Sequence, residues 1–328
     1  METALEAKKS SYFFLDMTGS APISAITGTN INPNSDAIIC IDNNVCQHLV
    51  QFGKVAQNDV VRAKIENLLN SCAEFDLPVF PYIGLSELAT NRATRKLDRP
   101  KYISHLKGIN ECLKKHGVKV APQISDFSNG MGKFMALHDL FYIHLLKIKT
   151  IERNGLDKEK SLSNLTAYID WAEGARIQTT FPSQVAFALF GGESKARKIA
   201  KFEKGKAPLQ SIWGAAWDML YLFISQQYVP LKLQNVTMIF ATNDEALGLI
   251  GSLFSLRGAI TVGGKVQRSL GELSYDFPHY HENKVQIESI HQRVLAAQAG
   301  RFGKAPDVAI LRSERRHLEK AIEVADIA

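Results

Sequence analysis

Four acidic side chains each stand alone in a long uncharged stretch of this chain. Asp42 is the one Asp, Glu, Lys or Arg between Ala37 and Gly53, Glu87 between Leu77 and Asn91, and Asp218 between Ala207 and Leu231. Asp244, with Glu245 beside it, is the one acidic position between Leu233 and Leu256. Charged residues make up 22% of the chain, so stretches this long without others are expected to be buried. A carboxylate inside such a stretch costs several kcal/mol (order of magnitude) unless a partner compensates it. Two carboxylates about 4 Å apart repel by about 4 kcal/mol at an effective dielectric near 20. If four converge, they must protonate or share a cation. An all-oxygen set suits Mg²⁺ or Mn²⁺ and suits zinc poorly, since zinc prefers His and Cys. Such ions activate water and stabilise a leaving oxygen at a phosphodiester.

The elements that would position these acids follow from local patterning. Ala37-Ile38-Ile39-Cys40-Ile41 is a short apolar run rich in β-branched residues, the mark of a strand buried on both faces in a parallel sheet, and Asp42 follows its carboxyl end. Val61, Ile65, Leu68, Leu69 and Cys72 recur at helical spacing and predict a helix over about 60–75. Pro78 to Ile83 reads as a second strand leading into a helix begun by Ser86 and Glu87. Residues 96–209 hold no convincing strand and carry Phe134, Leu137, Leu140, Phe141 and Leu145 at helical spacing. A helix is expected over about 212–226, then a buried strand over 236–241 closed by Asn243 and Asp244. A helix over about 247–256 and a strand over 259–262 follow, and the tail from about 284 reads as helical and basic. Gly19 to Ser35, rich in Gly, Ser, Thr, Asn and Pro, reads as linker. Ligands of open parallel sheets bind at the carboxyl edge of the strands, and connecting helices begin there. Convergence of the four acids at that edge is therefore the expectation.

Ala37–Val45 (AIICIDNNV), Gly84–Thr90 (GLSELAT), Gly214–Ser225 (GAAWDMLYLFIS) and Val236–Leu247 (VTMIFATNDEAL) resemble, in this order, the four acidic motifs of PIN-domain nucleases. The resemblance covers about 36–92 and 210–262. It implies a three-layer α/β/α fold with a central, mostly parallel sheet and metal-dependent cleavage of single strands, most often of RNA. It carries Asp42, Glu87, Asp218 and Asp244 over as catalytic metal ligands for Mg²⁺ or Mn²⁺. It gives Asn44, Thr242 and Asn243 the role of orienting carboxylates or water. The chain departs from the compact family pattern because 131 positions separate Glu87 from Asp218. The expected organisation is an N-terminal extension (1–35), a first core segment (36–95), a helical insertion (96–209), a second core segment (210–265) and a basic helical C-terminal region (266–328).

Each acid also has a plain structural reading. Asp42 and Asp244 are good helix N-caps, and Glu87 near a helix start complements the dipole. Asp218, flanked by Trp217 and Met219 with Ala215 and Leu222 at helical spacing, does not fit a solvated face. Trp213 and Trp217, four apart, read as core packing ahead of base stacking. His138 and His144 are six apart and do not share a helical face as zinc ligands would. His279 and His281 read as surface-loop residues. Gly263-Gly264-Lys265 is not a phosphate loop, and Ser86 lacks a nucleophile-elbow pattern.

The net charge of +6 and pI near 9.0 lean towards a polyanionic partner. Arg92, Arg95, Lys96 and Arg99 trail from the Glu87 helix, and Lys195, Arg197, Lys198 and Lys201 cluster later; both groups are candidate contacts to nucleic acid, with a solvated helix face as the alternative for the second. Cys40, Cys46, Cys72 and Cys112 form no CxxC pair and read as reduced, buried residues. No apolar run reaches the roughly 18 residues of a membrane-spanning helix, and no signal peptide is apparent, so a soluble cytoplasmic protein is expected. The leading expectation is a single-strand endoribonuclease, with a restraining protein partner left open. The alternatives are a non-catalytic module that binds nucleic acid or a protein partner, and a HAD-type phosphatase. The last needs Asp-x-Asp after the first strand and meets Asn44 there instead.

Overall fold

Two compact units divide the chain: residues 1–132 with 221–252, and residues 133–220 with 253–328. The computed structural model describes residues 12–15, 36–54, 58–122, 132–193, 195–202, 208–224, 236–243, 254–262, 265–273, 275–301 and 307–327. Gly19–Ser35 and the first part of the helix expected over 247–256 lie outside them.

The first unit is an α/β unit built on a small sheet. Its strands are β1 (Phe13–Leu15), β2 (Asp36–Ile41), β3 (Val79–Phe80) and β4 (Val236–Thr242), in spatial order β1-β4-β2-β3. β2 runs parallel to both β3 and β4, and β1 closes the β4 edge antiparallel. The apolar run 37–41 is buried throughout, as its patterning predicts. β3 stops after two residues, short of the strand expected over 78–83, because Pro81 has no N–H to extend the ladder. An isolated parallel bridge between Val79 and Val120 adds one further position beside β3.

Four helices connect these strands: α1 (Asn43–Gln51), α2 (Asp59–Glu74), α3 (Tyr82–Ala89) and α4 (Arg99–Lys115). α2 matches the expected 60–75 helix, is capped by Asn58, and buries Ile65, Leu68, Leu69 and Cys72. α4 falls in the stretch expected as insertion, yet Ile109, Cys112 and Leu113 share the sheet-bearing core with Val45, Leu49 and Leu85. The compact unit accordingly runs to residue 132, past the boundary expected near 95.

The second unit is largely helical: α5 (Gly132–Glu152), α6 (Lys158–Gly174), α7 (Thr180–Phe190), the short α8 (Ala196–Ile199), most of α9 (Pro208–Phe223), α10 (Lys284–Arg301) and α11 (Val308–Ile327). His144 sits between the Tyr168 hydroxyl (2.7 Å) and the Ile177 carbonyl (2.8 Å), a satisfied core histidine. His138 packs on Trp213 at 4.0 Å between ring centroids, and Trp213 and Trp217 are buried in the same aromatic cluster.

One expected element differs in kind. Residues 254–256 belong to a strand, β5 (Phe254–Val262), and not to the end of a helix. β5 pairs antiparallel with β6 (Lys265–Leu273), so the expected strand over 259–262 is part of a hairpin. The Val262–Lys265 pair flanks Gly263-Gly264, and a Gly-Gly pair between two strands is a hairpin signal.

Candidate acidic site at the sheet edge

Asp42 emerges at the carboxyl end of β2, where the register sets Ile41 against Ala241 and so brings Asp42 level with Thr242 on β4. It is 3% exposed and fully engaged by neighbours. One carboxylate oxygen, Oδ1, accepts the Val45 N–H at 2.7 Å and caps α1. The other, Oδ2, accepts the Thr242 hydroxyl at 2.7 Å and the Asn243 N–H at 3.4 Å. Thr242 and Asn243 thus hold the carboxylate. The third residue of that group, Asn44, is exposed on the first turn of α1.

Glu87 approaches from α3. That helix begins at Tyr82, directly after Pro81, so Glu87 is its sixth residue and does not open it. The position still serves the site because of Gly84, one turn earlier on the same face. A Cβ at Gly84 would lie 2.7 Å from the Asp42 carbonyl carbon and oxygen and 2.7 Å from Cys46 Sγ. Glycine lets α3 press on the β2–α1 junction, which carries Glu87 towards Asp42. The Tyr221 hydroxyl donates to Glu87 Oε2 at 2.6 Å. Burial drives the Tyr221 hydroxyl far above its ordinary pKa, and the charges of Glu87 and Asp42 push it further. The Cys46 thiol is raised by burial and by the same two acids. Asp42 and Glu87 therefore act on common neighbours.

Several residues of this edge are absent from the sequence reading. Lys64, on α2, donates to Asn243 Oδ1 at 2.6 Å, and its ammonium lies 5.9 Å from the centre of the Tyr12 ring. Tyr12 is buried and its hydroxyl meets His48 Nδ1 at 2.9 Å. Burial and then Lys64 hold the His48 pKa down, and burial holds the Lys64 pKa down. Tyr221 had a legible signal, one turn after Asp218 in an uncharged helix. Lys64 and His48 had none, since their role depends on where strand β4 ends.

The other two acids are placed differently. Asp244 lies outside the described residues. Asp218 is the eleventh residue of α9, well past the helix start that Pro208 marks, and is buried. Within the second unit its Oδ2 pairs with Lys201 Nζ at 2.6 Å. Lys201 holds a left-handed backbone, φ 52°, just after α8. Arg197 Nε lies 2.7 Å from Glu152 Oε1. Of the later basic cluster, Lys201 and Arg197 thus face acids of their own unit, while Lys195 and Lys198 are exposed. Arg92, Arg95 and Lys96 occupy a turn closed by the Thr90–Leu97 bridge, and Arg99 opens α4.

Among the described residues, no three His, Cys, Asp or Glu side chains are grouped so as to hold a metal ion. The donor chemistry of Asp42 and Glu87, two carboxylates whose charges both act on Tyr221 and Cys46, suits a hard divalent cation. Protein donors compensate each described acid of the quartet, so a cation is not required to explain their burial.

No protein-family model matches the chain, and no solved structure matches it. Among curated proteins, it is similar to a sulfate adenylyltransferase of Schizosaccharomyces pombe (strain 972 / ATCC 24843), 25% identical over 148 residues. The match covers 44% of this chain and 29% of that protein, so the chain spans less than a third of the relative's length.

Proposed function

We propose that this chain is a PIN-like, Mg²⁺- or Mn²⁺-dependent nuclease that hydrolyses single-stranded RNA at the carboxyl edge of its parallel sheet. The observation that supports this reading is the buried Asp42, anchored by Thr242 and Asn243 across the β2–β4 seam, with Glu87 on the helix that Gly84 lets press against the Asp42 backbone. Asp42 and Glu87 stand on geometry; Asp218 and Asp244 join them as proposed ligands on the sequence pattern alone. A bound cation would supply Lewis acidity and a nucleophilic water at neutral pH. The chain's own contribution is orientation. Val45, Thr242 and Asn243 fix both oxygens of Asp42, and Tyr221 aims Glu87. The three-layer PIN arrangement belongs to this same proposal.

The test is cleavage of an end-labelled single-stranded RNA with Mn²⁺ or with EDTA, for wild type, Asp42→Asn and Glu87→Gln. Loss of Mn²⁺-dependent cleavage in both variants is expected. Equal cleavage by all three proteins removes the proposal. A second reading has its own observation. Asp42 caps a helix, Glu87 accepts from Tyr221 and Asp218 pairs with Lys201, which is how a non-catalytic RNA-binding module would keep these acids. RNA binding in EDTA with no cleavage under any divalent cation selects that alternative.

A further inference from the structure

One segment of the first unit is strongly basic. Residues 92–116 hold eight Lys or Arg against two acids, Asp98 and Glu111, an excess of six that equals the net +6 of the whole chain. The rest of the protein is therefore balanced. Most of this excess lies on or just before α4, in the first unit.

The two acids of this segment do little to neutralise it. The Asp98 side chain accepts the Lys101 backbone N–H at 3.1 Å and caps α4. Glu111 meets Lys107 at 4.0 Å with both side chains mostly exposed, a pair worth little in water. Among the described residues, no acidic side chain pairs with Lys54, Arg99, Lys101, Lys114 or Lys115. Lys54, from the turn after α1, reaches over the middle of α4: a Cβ at Gly108 would lie 3.3 Å from its ammonium. The field of this group is felt locally. His105 is held below its ordinary pKa by burial, then by Lys101 and Lys54.

α4 packs against α3, the helix that carries Glu87. Tyr102, in the first turn of α4, has its hydroxyl pushed up to about 12 by burial and then by Tyr82 and Cys46. Tyr82 opens α3, and Cys46 is the thiol that feels both Asp42 and Glu87. From there α4 extends about 25 Å, at about 1.5 Å per residue. Arg99, Lys101, Lys107, Lys114 and Lys115 are spread, exposed, along its length. The later basic cluster is a weaker candidate, because Arg197 and Lys201 face Glu152 and Asp218.

We propose that the exposed face of α4, with Lys54 at its edge, is the docking track for the sugar-phosphate backbone of single-stranded RNA. The inference rests on the proposed nuclease only for the direction in which the track delivers the strand. An anionic membrane would also answer the charge, but Ile103 is the one large apolar side chain exposed on this helix among the described residues, too little to insert.

The test uses the full chain in EDTA, so that binding is read without cleavage. Fluorescence anisotropy of a labelled oligouridine is followed across a KCl series for wild type, Arg99→Gln/Lys101→Gln/Lys107→Gln, and Lys284→Gln/Arg312→Gln as control. All five positions are exposed, and circular dichroism verifies the fold. The triple variant is expected to bind about tenfold more weakly. Its log–log salt slope should be shallower by about 2, three phosphate contacts at about 0.7 each. The control is expected to match wild type. Unchanged affinity in the triple variant overturns the inference, as does loss of binding to phosphatidylserine vesicles with RNA binding intact. A wild type that cleaves RNA in Mn²⁺ while the triple variant binds normally removes the docking track alone. A wild type that binds through α4 yet never cleaves removes the nuclease and leaves the track standing.

Discussion

A buried carboxylate is stable only to the extent that its donors are in place, and Asp42 has three of them from two elements. Thr242→Val keeps the shape of the side chain and removes the hydroxyl. The substitution is expected to destabilise the fold by about 1.5–3 kcal/mol, the scale of a hydrogen bond to a buried charge, read from urea unfolding. Tyr221→Phe should cost less, about 1 kcal/mol, because half-buried Glu87 can recruit water in place of the lost hydroxyl. The cysteines give a pH signature. Burial pushes the Cys72 thiol up to about 12, whereas the unfolded thiol titrates near about 8.5. The folded state therefore keeps a proton that the unfolded state releases. Stability from this group is complete below about pH 8.5 and falls by about 1.4 kcal/mol per pH unit above it, until the folded pKa is reached. Urea midpoints measured from pH 8 upward should decline, and Cys72→Ala should flatten that decline by about one proton.

At the scale of elements, the close approach of α3 to the β2–α1 junction is what joins Glu87 to Asp42. Alanine at Gly84 would improve helix propensity by about 1 kcal/mol. Its methyl would nonetheless sit 2.7 Å from backbone atoms of Asp42, which cannot swing aside as a flexible side chain would. Gly84→Ala is expected to be net destabilising by about 1–2 kcal/mol in urea unfolding, with the propensity gain outweighed by overpacking. If the nuclease proposal holds, Mn²⁺-dependent cleavage should fall with it. In the second unit, Lys201→Met leaves Asp218 buried beside an apolar chain. The lysine is one-third exposed, so the loss is discounted from a fully buried pair to about 1–3 kcal/mol. Asp218→Asn in the same background should recover most of it, a coupling that a double-mutant cycle measures.

For the whole molecule, both compact units are discontinuous in sequence. β4 lies between β1 and β2, and it begins more than 100 positions after the first segment of that unit ends. A fragment of residues 1–132 lacks the strand that pairs with both neighbours. It is expected to lack cooperative thermal unfolding by circular dichroism and to exchange its β2 amides rapidly, in contrast to the full chain. The charge distribution acts at the same scale, since the excess of six in 92–116 makes that segment the expected main source of salt dependence under the proposed docking.

Sequence alone determined the strands at 37–41 and 236–241, the α2 helix and its buried face, and the burial of Asp42 and Asp218. These follow from side-chain period and from the cost of stranding a charge in apolar surroundings, both local quantities. Tertiary structure decided what compensates each acid: a helix N-terminus and a threonine for Asp42, a tyrosine for Glu87, a lysine with left-handed backbone for Asp218. It also decided that α4 belongs to the sheet-bearing unit and that β5 turns back on β6. Partners of this kind are chosen by which distant segments the packing brings together. A local pattern shows that a buried carboxylate needs a donor, and only the folded register determines which residue provides it.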